Sequence, residues 1–352
     1  MNIKRRKTRQ VKIGRIRIGC GNPIAIQSMT KTRTADVAAT TAQAKQLEEA
    51  GVDIIRLAVL DEQDARALRK IKQGVNAPLV ADIHFNWKLA LAAIDSGVDK
   101  IRLNPGNLYR KEEVREVVSA AKLARIPIRV GINSGSLRGR SMTRSAMDYV
   151  RLIESFGFYD IVVSLKASTI LGTIEAYRKF SKMCDYPLHL GVTATGPADR
   201  GVIKSSVAIG SLLLDGIGDT IRVSLTDKPQ EEVRAGRLIL ESLGLKKGGV
   251  EIISCPTCGR CEVNLRQMVR ELENRLSVLR LASGSAPLTV AMMGCMVNGP
   301  GEAREADAGI AFAKKEGLLF KSGKPVKKIA LKDCVNILTK EAAKICCGQK
   351  RS

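Results

Sequence analysis

Thiols and a carboxylate gather late in the chain, in two short stretches. The first is Ser254-Cys255-Pro256-Thr257-Cys258-Gly259-Arg260-Cys261, and the second is Gly294-Cys295-Met296-Val297-Asn298-Gly299-Pro300-Gly301-Glu302. A C-x-x-C turn aims two thiolates at one centre, and a single cysteine on a Gly/Pro-bent loop adds a third. A structural zinc site usually shows a second C-x-x-C or an H-x-x-x-H partner. Cys295 has neither, and the doublet Cys346-Cys347 is poorly spaced for one. A lone redox C-x-x-C pair leaves the Cys295 loop without a purpose. Spacing alone therefore favours an iron–sulfur centre on Cys255, Cys258, Cys261 and Cys295, with zinc as the lesser reading. Cys20, Cys184 and Cys334 read as small buried hydrophobes.

A second set of chemical groups sits at the ends of β-branched runs: Arg56, Asp82, His84, Arg102, Asn104, Arg129, Asn133, Lys166, His189, Thr193, Arg222 and Ser224. Arginine forks grip phosphate oxygens bidentately, and guanidiniums held out of water need an anion. Arg56, Arg102, Arg129, Arg222 and Lys166 converging on one mouth imply a substrate with more than one phosphate, or a diphosphate. The competing reading pairs each of them with Asp53, Asp82, Asp99, Asp160 or Asp219 as structural bridges. His84 and His189 are the only histidines, and a lone strand histidine is more often a core residue than a catalyst. There is no P-loop and no Ser–His–Asp order.

The elements that must position these groups follow a regular rhythm. Strands are predicted over 23–28, 53–59, 78–84, 100–104, 127–133, 160–166, 187–193 and 220–225, with amphipathic helices such as 36–50, 62–73, 87–96, 112–124 and 198–214 between them. Gly51, Gly74, Gly97, Gly157 and Gly216 read as helix stops. Eight β–α units in series predict a TIM (β/α)8 barrel, whose active site lies at the C-terminal strand ends. A doubly wound sheet lacks support, because no G-x-G-x-x-G follows the first strand. The predicted domains are a substrate-binding barrel over 1–243, a linker over 244–249 and a small α/β iron–sulfur domain over 250–352. In that last domain strands are predicted at 250–254, 288–293, 308–313, 318–321 and 326–330, with helices at 263–281 and 334–343. The end of the chain, 346–352, reads as frayed.

Bulk properties agree. The chain of 352 residues is 45% hydrophobic but only 3% aromatic, so its core must be aliphatic, as buried parallel strands require. No apolar run reaches membrane-spanning length, and the basic N-terminus lacks an apolar segment of the secretory kind. Nine cysteines in such a chain suit a reducing, cytoplasmic setting and metal ligation rather than disulfides. The net charge of +23 is concentrated at the ends, in Lys4, Arg5, Arg6, Lys7, Arg9, Lys12, Arg15 and Arg17, and in Lys314, Lys315, Lys321, Lys324, Lys327 and Lys328. Such ends attract polyanions, but a solvated basic face is the expected state. Scarce aromatics argue against a single-stranded nucleic-acid groove. A radical-type cluster enzyme would need a C-x-x-x-C-x-x-C loop, which is missing. A basic zinc protein binding nucleic acid is the rival from another class.

Taken together, the motifs resemble the 4-hydroxy-3-methylbut-2-enyl diphosphate synthase family over nearly the whole chain. The resemblance rests on Ile26-Gln27-Ser28-Met29-Thr30, Ala81-Asp82-Ile83-His84-Phe85, Ile101-Arg102-Leu103-Asn104-Pro105-Gly106-Asn107, Arg129-Val130-Gly131-Ile132-Asn133, Asp219-Thr220-Ile221-Arg222-Val223-Ser224 and the two cysteine stretches. It implies a [4Fe–4S] cluster held by Cys255, Cys258, Cys295 and Glu302, which sets Glu302 against Cys261 as the fourth ligand. It also implies reductive ring opening and dehydration of 2-C-methyl-D-erythritol 2,4-cyclodiphosphate, with Glu302 and Asp82 in catalytic roles and Asn298 beside the barrel residues in substrate binding. The implied electron donor is reduced flavodoxin or ferredoxin. The implied assembly is a homodimer in which the cluster domain of one subunit closes over the barrel of the other. One segment departs from the family. Thr193-Ala194-Thr195-Gly196 places Ala194 where the family carries a substrate-facing glutamate. Asp82, Asp199 or Thr195 would then take over, or the activity would be altered or reduced.

Overall fold

The computed structural model describes residues 3–136, 141–193, 195–246, 249–276 and 288–346. The chain divides into two compact units, Met1–Lys246 and Lys247–Ser352. Of the stretch read as a linker, residues 247 and 248 lie outside the described residues. So do Cys347 and Ala194.

The first unit opens with a hairpin that the sequence did not announce, β1 (Val11–Ile13) and β2 (Ile16–Ile18), followed by the barrel strands β3 (Ala25–Met29), β4 (Ile54–Val59), β5 (Leu79–Ile83), β6 (Lys100–Leu103), β7 (Ile128–Asn133), β8 (Ile161–Lys166), β9 (His189–Leu190) and β10 (Thr220–Ile221). The eight strands lie in the order β8-β7-β6-β5-β4-β3-β10-β9. A parallel bridge between Val163 and Leu188 joins the two ends. The strand pairs are parallel throughout, so the predicted barrel is present. Helices α1 (Val37–Glu49), α2 (Glu62–Gln73), α3 (Trp87–Asp95), α4 (Lys111–Ala124), α5 (Met142–Glu154), α6 (Ile170–Phe180), α7 (Ala198–Leu214) and α8 (Pro229–Ser242) cross over between strands. An aliphatic layer between strands and helices forms the main core, with Ile55, Leu57, Leu68, Val117, Ile128 and Val163 fully buried. β9 and β10 are shorter than their predicted runs, at two residues each.

Inward-facing side chains alternate with core-facing ones along every strand, as the two-residue period demands. At the floor, Ala25, Ile54, Val80 and Val162 meet Val11, Ile13 and Ile18 of the hairpin in a separate apolar cluster. The hairpin therefore stoppers the N-terminal end of the barrel. This corrects the expectation of a merely solvated basic terminus. Arg5 bonds Asn22 O, Gly218 O and Asp219. Arg6 donates to the carbonyls of Ser181, Cys184 and Tyr186. Arg9 pairs with Asp185 at 2.7 Å and lies over the Tyr186 ring. These cations tie the leading segment to the barrel wall. Cys20, expected to be buried, is exposed in a turn with φ of 49°.

The second unit is a five-stranded sheet, β11 (Val250–Ser254), β12 (Leu288–Met293), β13 (Ala308–Phe312), β14 (Glu316–Lys321) and β15 (Lys324–Ala330), in sequential order. The first three strands are parallel, and β14 and β15 return as antiparallel hairpins. Helices α9 (Leu265–Leu276) and α11 (Cys334–Cys346) cover one face, burying Leu272, Leu338 and Val290 together. The short helix α10 (Gly299–Arg304) packs against the other, where Met293, Ala303 and Phe320 are buried.

Candidate functional site

Alternation along the barrel strands places the predicted cations indoors. Arg56, Arg102, Arg129 and Lys166 are each at most 8% exposed, and the Arg222 side chain is 13% exposed. One inward position is glycine because a cation needs the room: a Cβ on Gly131 would stand 2.6 Å from Arg102 Nε. One on Gly191 would stand 2.6 Å from the Arg222 carbonyl oxygen, which cannot give way, and 3.2 Å from Lys166 Nζ. Sequence reasoning missed Lys100, which is wholly buried. A lysine at the start of a strand reads as solvent-facing until the barrel closes around it.

Three of the five carboxylates offered as bridge partners are engaged elsewhere. Asp53 caps Ile26 N and approaches Lys246, Asp99 caps Leu79 N and pairs with Lys72, and Asp219 caps Leu188 N and pairs with Arg5. Asp82 alone of these faces the cations, 3.2 Å from Arg102 and 3.8 Å from Arg56. A second carboxylate, Glu232 of α8, was not anticipated. It is 1% exposed, accepts from Ser28 Oγ at 2.8 Å and Leu225 N at 3.1 Å, and lies 3.5 Å from Arg222. Among the described residues, six buried or nearly buried cations thus face two carboxylates. Burying like charges costs free energy unless an anion joins them.

The ionisation preferences express that surplus. Burial pushes Lys166 well below the usual lysine range, and Arg222, Arg56, Arg129 and Arg102 push it the same way. Burial and the neighbours Arg129 and Arg56 do the same to Lys100. Burial, then Arg129 and Lys166, keeps His189 neutral. Burial would raise Asp82, but Arg56, His84, Arg102 and Arg129 outweigh it and hold the carboxyl far below the carboxylate range. Asp82 thus bridges Arg102 and Arg56 as a buried ion pair. Several buried polar atoms have no protein partner: Lys100 Nζ, Arg129 Nε and Nη1, His189 Nε2, Arg222 Nε and Ser224 Oγ. His189 Nδ1 is engaged by Thr220 at 2.8 Å. His84 sits at the mouth, 38% exposed and 3.5 Å from Asp82. Asn104 and Asn133 close β6 and β7, and Asn104 accepts from Gly106 N at 3.1 Å. Thr195 is committed to the Ser224 carbonyl, and Asp199 is exposed on α7.

In the second unit the parallel register sets Ser254 beside Met292, so Cys255 and Gly294–Cys295 leave adjacent strands at one end of the sheet. Gly294 N lies 3.3 Å from Cys255 Sγ. A Cβ on Gly294 would stand 2.5 Å from Cys261 Sγ and 3.3 Å from Cys255 Sγ, so only glycine admits both sulfurs. Cys258 is exposed, and Cys295 is half-buried. The backbone N–H groups of Val297 and Asn298, with Arg260, lower the Cys295 thiol toward thiolate. Cys261 Sγ is directed at Val263 O, 3.3 Å away. Glu302 projects, exposed, from the first turn of α10, next to the Cys295 loop. Asn298 is exposed at the start of the same helix. No three Cys, His, Asp or Glu side chains among the described residues converge on a single-ion position. The cysteine side chains at this end of the sheet are soft donors of the kind iron and zinc accept.

Fold and site together define an oxidoreductase-type scaffold: a (β/α)8 barrel lined with anion-receptive cations, followed by an α/β unit that presents cysteine side chains from two loops. The chain matches the GcpE TIM-barrel domain over residues 8–237 and the GcpE protein C-terminal domain over residues 251–344. It is 51% identical over 353 residues to 4-hydroxy-3-methylbut-2-en-1-yl diphosphate synthase (flavodoxin) of Thermodesulfovibrio yellowstonii, covering 97% of this chain and 100% of that one. The same-named protein of Caldanaerobacter subterraneus is 52% identical over 355 residues, covering 97% and 99%. The chain belongs to the GcpE family. Among solved structures, dihydropteroate synthases of Stenotrophomonas maltophilia and Yersinia pestis each superpose with a TM-score of 0.52, at 14% and 12% identity, over 67% of this chain and 98% of theirs. At that identity the likeness concerns the barrel fold alone. Among the described residues no helix is long and apolar enough to cross a membrane.

Proposed function

We propose that this chain opens 2-C-methyl-D-erythritol 2,4-cyclodiphosphate reductively, giving 4-hydroxy-3-methylbut-2-enyl diphosphate and water. Two electrons and two protons are taken up, and the oxygen lost from carbon leaves as the water. The observation that carries this reading is the cation surplus in a closed barrel, which a diphosphate would balance. Arg56, Arg102, Arg129, Arg222 and Lys166 grip its oxygens, and Lys100 adds charge from below. Asn104, Asn133 and Ser224 orient the carbon skeleton. Asp82 sets the angle of Arg56 and Arg102 and is the barrel carboxylate placed to act on the bound ring. The apolar floor built by the hairpin keeps water from entering beneath the bound ring.

Cys255, Cys258, Cys295 and Glu302 would hold a [4Fe–4S] cluster, which when bound supplies single electrons and a Lewis-acidic iron. The thiolate preference of Cys295 and the placement of Cys255 Sγ against Gly294 N support two members of that donor set. Glu302 is its hardest and most readily exchanged donor. The relatives' names specify flavodoxin, and we take a reduced flavodoxin as the donor here. A homodimer and a cytoplasmic location complete the proposal. Anaerobic reconstitution followed by turnover of the cyclic diphosphate with dithionite tests it. Equal iron and sulfide near four per chain, with product formed, is the expected result. One zinc without sulfide, or a loaded protein inert toward the ring, would overturn it.

A further inference from the structure

We infer that Lys314, Lys315 and Lys332 form the docking face for an acidic one-electron carrier protein of flavodoxin chemistry, beside the cysteine loops of the second unit. The inference rests on the reductive reading above and adds to it the place where electrons enter.

Residues 314–332 contain seven lysines and a single acidic residue, Glu316. Lys328 spends its charge on Glu316, and Lys321 on Glu341, each at 2.6 Å. Lys314, Lys315, Lys324, Lys327 and Lys332 are exposed, and no ion pair joins them to a carboxylate among the described residues. The sheet register sorts these five. Met293 pairs with Ala311, Phe312 with Gly317, and Glu316 with Ala330. The end of the sheet that releases Gly294–Cys295 therefore also carries the 313–315 turn and the residues just after β15. Lys314 and Lys315 lie in that turn, closed by Ala313 N donating to Glu316 O at 2.8 Å, and Lys332 follows β15. Lys324 lies at the far end, opposite Lys321. With strands roughly 4.8 Å apart, the turn stands about one to two strand widths to the side of the Cys295 loop.

Lysines on an edge strand commonly guard against sheet-to-sheet association. That accounts for Lys324, Lys327 and Lys328 on β15, but not for a turn and a post-strand segment. The choice of lysine also matters. Hydrated, flexible ammonium groups steer a partner over distance without a rigid grip. A carrier that must leave after each electron needs fast arrival and a small, weak interface.

The test is a charge reversal on the cluster-loaded protein, Lys314→Glu/Lys315→Glu/Lys332→Glu. Its control is an equal charge change on the exposed face of the first hairpin, Lys12→Glu/Arg15→Glu/Arg17→Glu. At low ionic strength the triple variant should raise KM for reduced flavodoxin by about tenfold or more. It should weaken binding of oxidised flavodoxin by a similar factor in calorimetry, which is read without turnover. Dithionite-driven turnover and iron content should stay within about twofold of the unaltered protein, and the salt dependence of KM should flatten. An unchanged KM for flavodoxin would overturn the inference. So would an equal rise in the hairpin control, which would make net charge the cause, or loss of dithionite-driven turnover in the triple variant alone. Failure of the unaltered, loaded protein with dithionite would instead sink the reductive reading itself.

Discussion

Cys295 stands where two backbone N–H groups and Arg260 favour its thiolate, whereas Cys261 is engaged by the Val263 carbonyl. Replacing Cys295 with Ser should therefore abolish bound iron and sulfide while leaving the circular dichroism unchanged. Cys261→Ser should retain both, and Glu302→Ala should lose iron. Loss with Cys261→Ser and retention with Glu302→Ala would reverse the ligand assignment. Ala194→Glu should raise turnover if this position is the degraded counterpart of the family's glutamate, and no gain at equal iron content would count against that view. Lys100 Nζ is buried in the barrel without a hydrogen-bond partner. Lys100→Met should stabilise the ligand-free protein by about 1–3 kcal/mol while weakening diphosphate binding, as denaturation and binding assays would report. The thiol pattern was legible in the chain because ligand spacing is local. Lys100 and Glu232 were not, because only their surroundings mark them as unusual.

Elements show the same division. The β–α rhythm was legible because aliphatic runs and helix-ending glycines are local signals. Gly51, Gly97, Gly157 and Gly216 do leave α1, α3, α5 and α7 with positive φ, whereas Gly74 closes α2 at φ −92°. The hairpin β1–β2 escaped notice, since two three-residue strands carry too few residues to show a period. Its contribution is nevertheless large. Ile13 is wholly buried in the floor cluster, so Ile13→Ala should cost about 2–5 kcal/mol of barrel stability. Chemical denaturation would measure that loss. A stability close to that of the unaltered protein would show that the hairpin is not a stopper.

Across the whole molecule, stability should depend on pH in a direction set by the buried cations. His189, Lys100 and Lys166 all have folded-state values pushed below their usual 6.5 and 10.5. The unfolded chain therefore binds more protons, and stability rises with pH. The His189 contribution is complete above about pH 6.5 and declines as pH falls below it. The lysine contributions keep growing toward pH 10. Each group adds up to about 1.4 kcal/mol per pH unit within its window. Melting of the ligand-free protein should thus shift upward between pH 6 and pH 9, and a saturating diphosphate should flatten the trend by restoring the charged forms. A downward shift without ligand would contradict the charge surplus. The amino-acid sequence alone determined the barrel, the thiol loops and the family, because hydrophobic period and ligand spacing are properties of neighbours along the chain. Which carboxylates oppose which cations, and how many charges go unanswered, was decided only by the tertiary structure. Desolvation has no meaning until residues far apart in the chain close around the same interior.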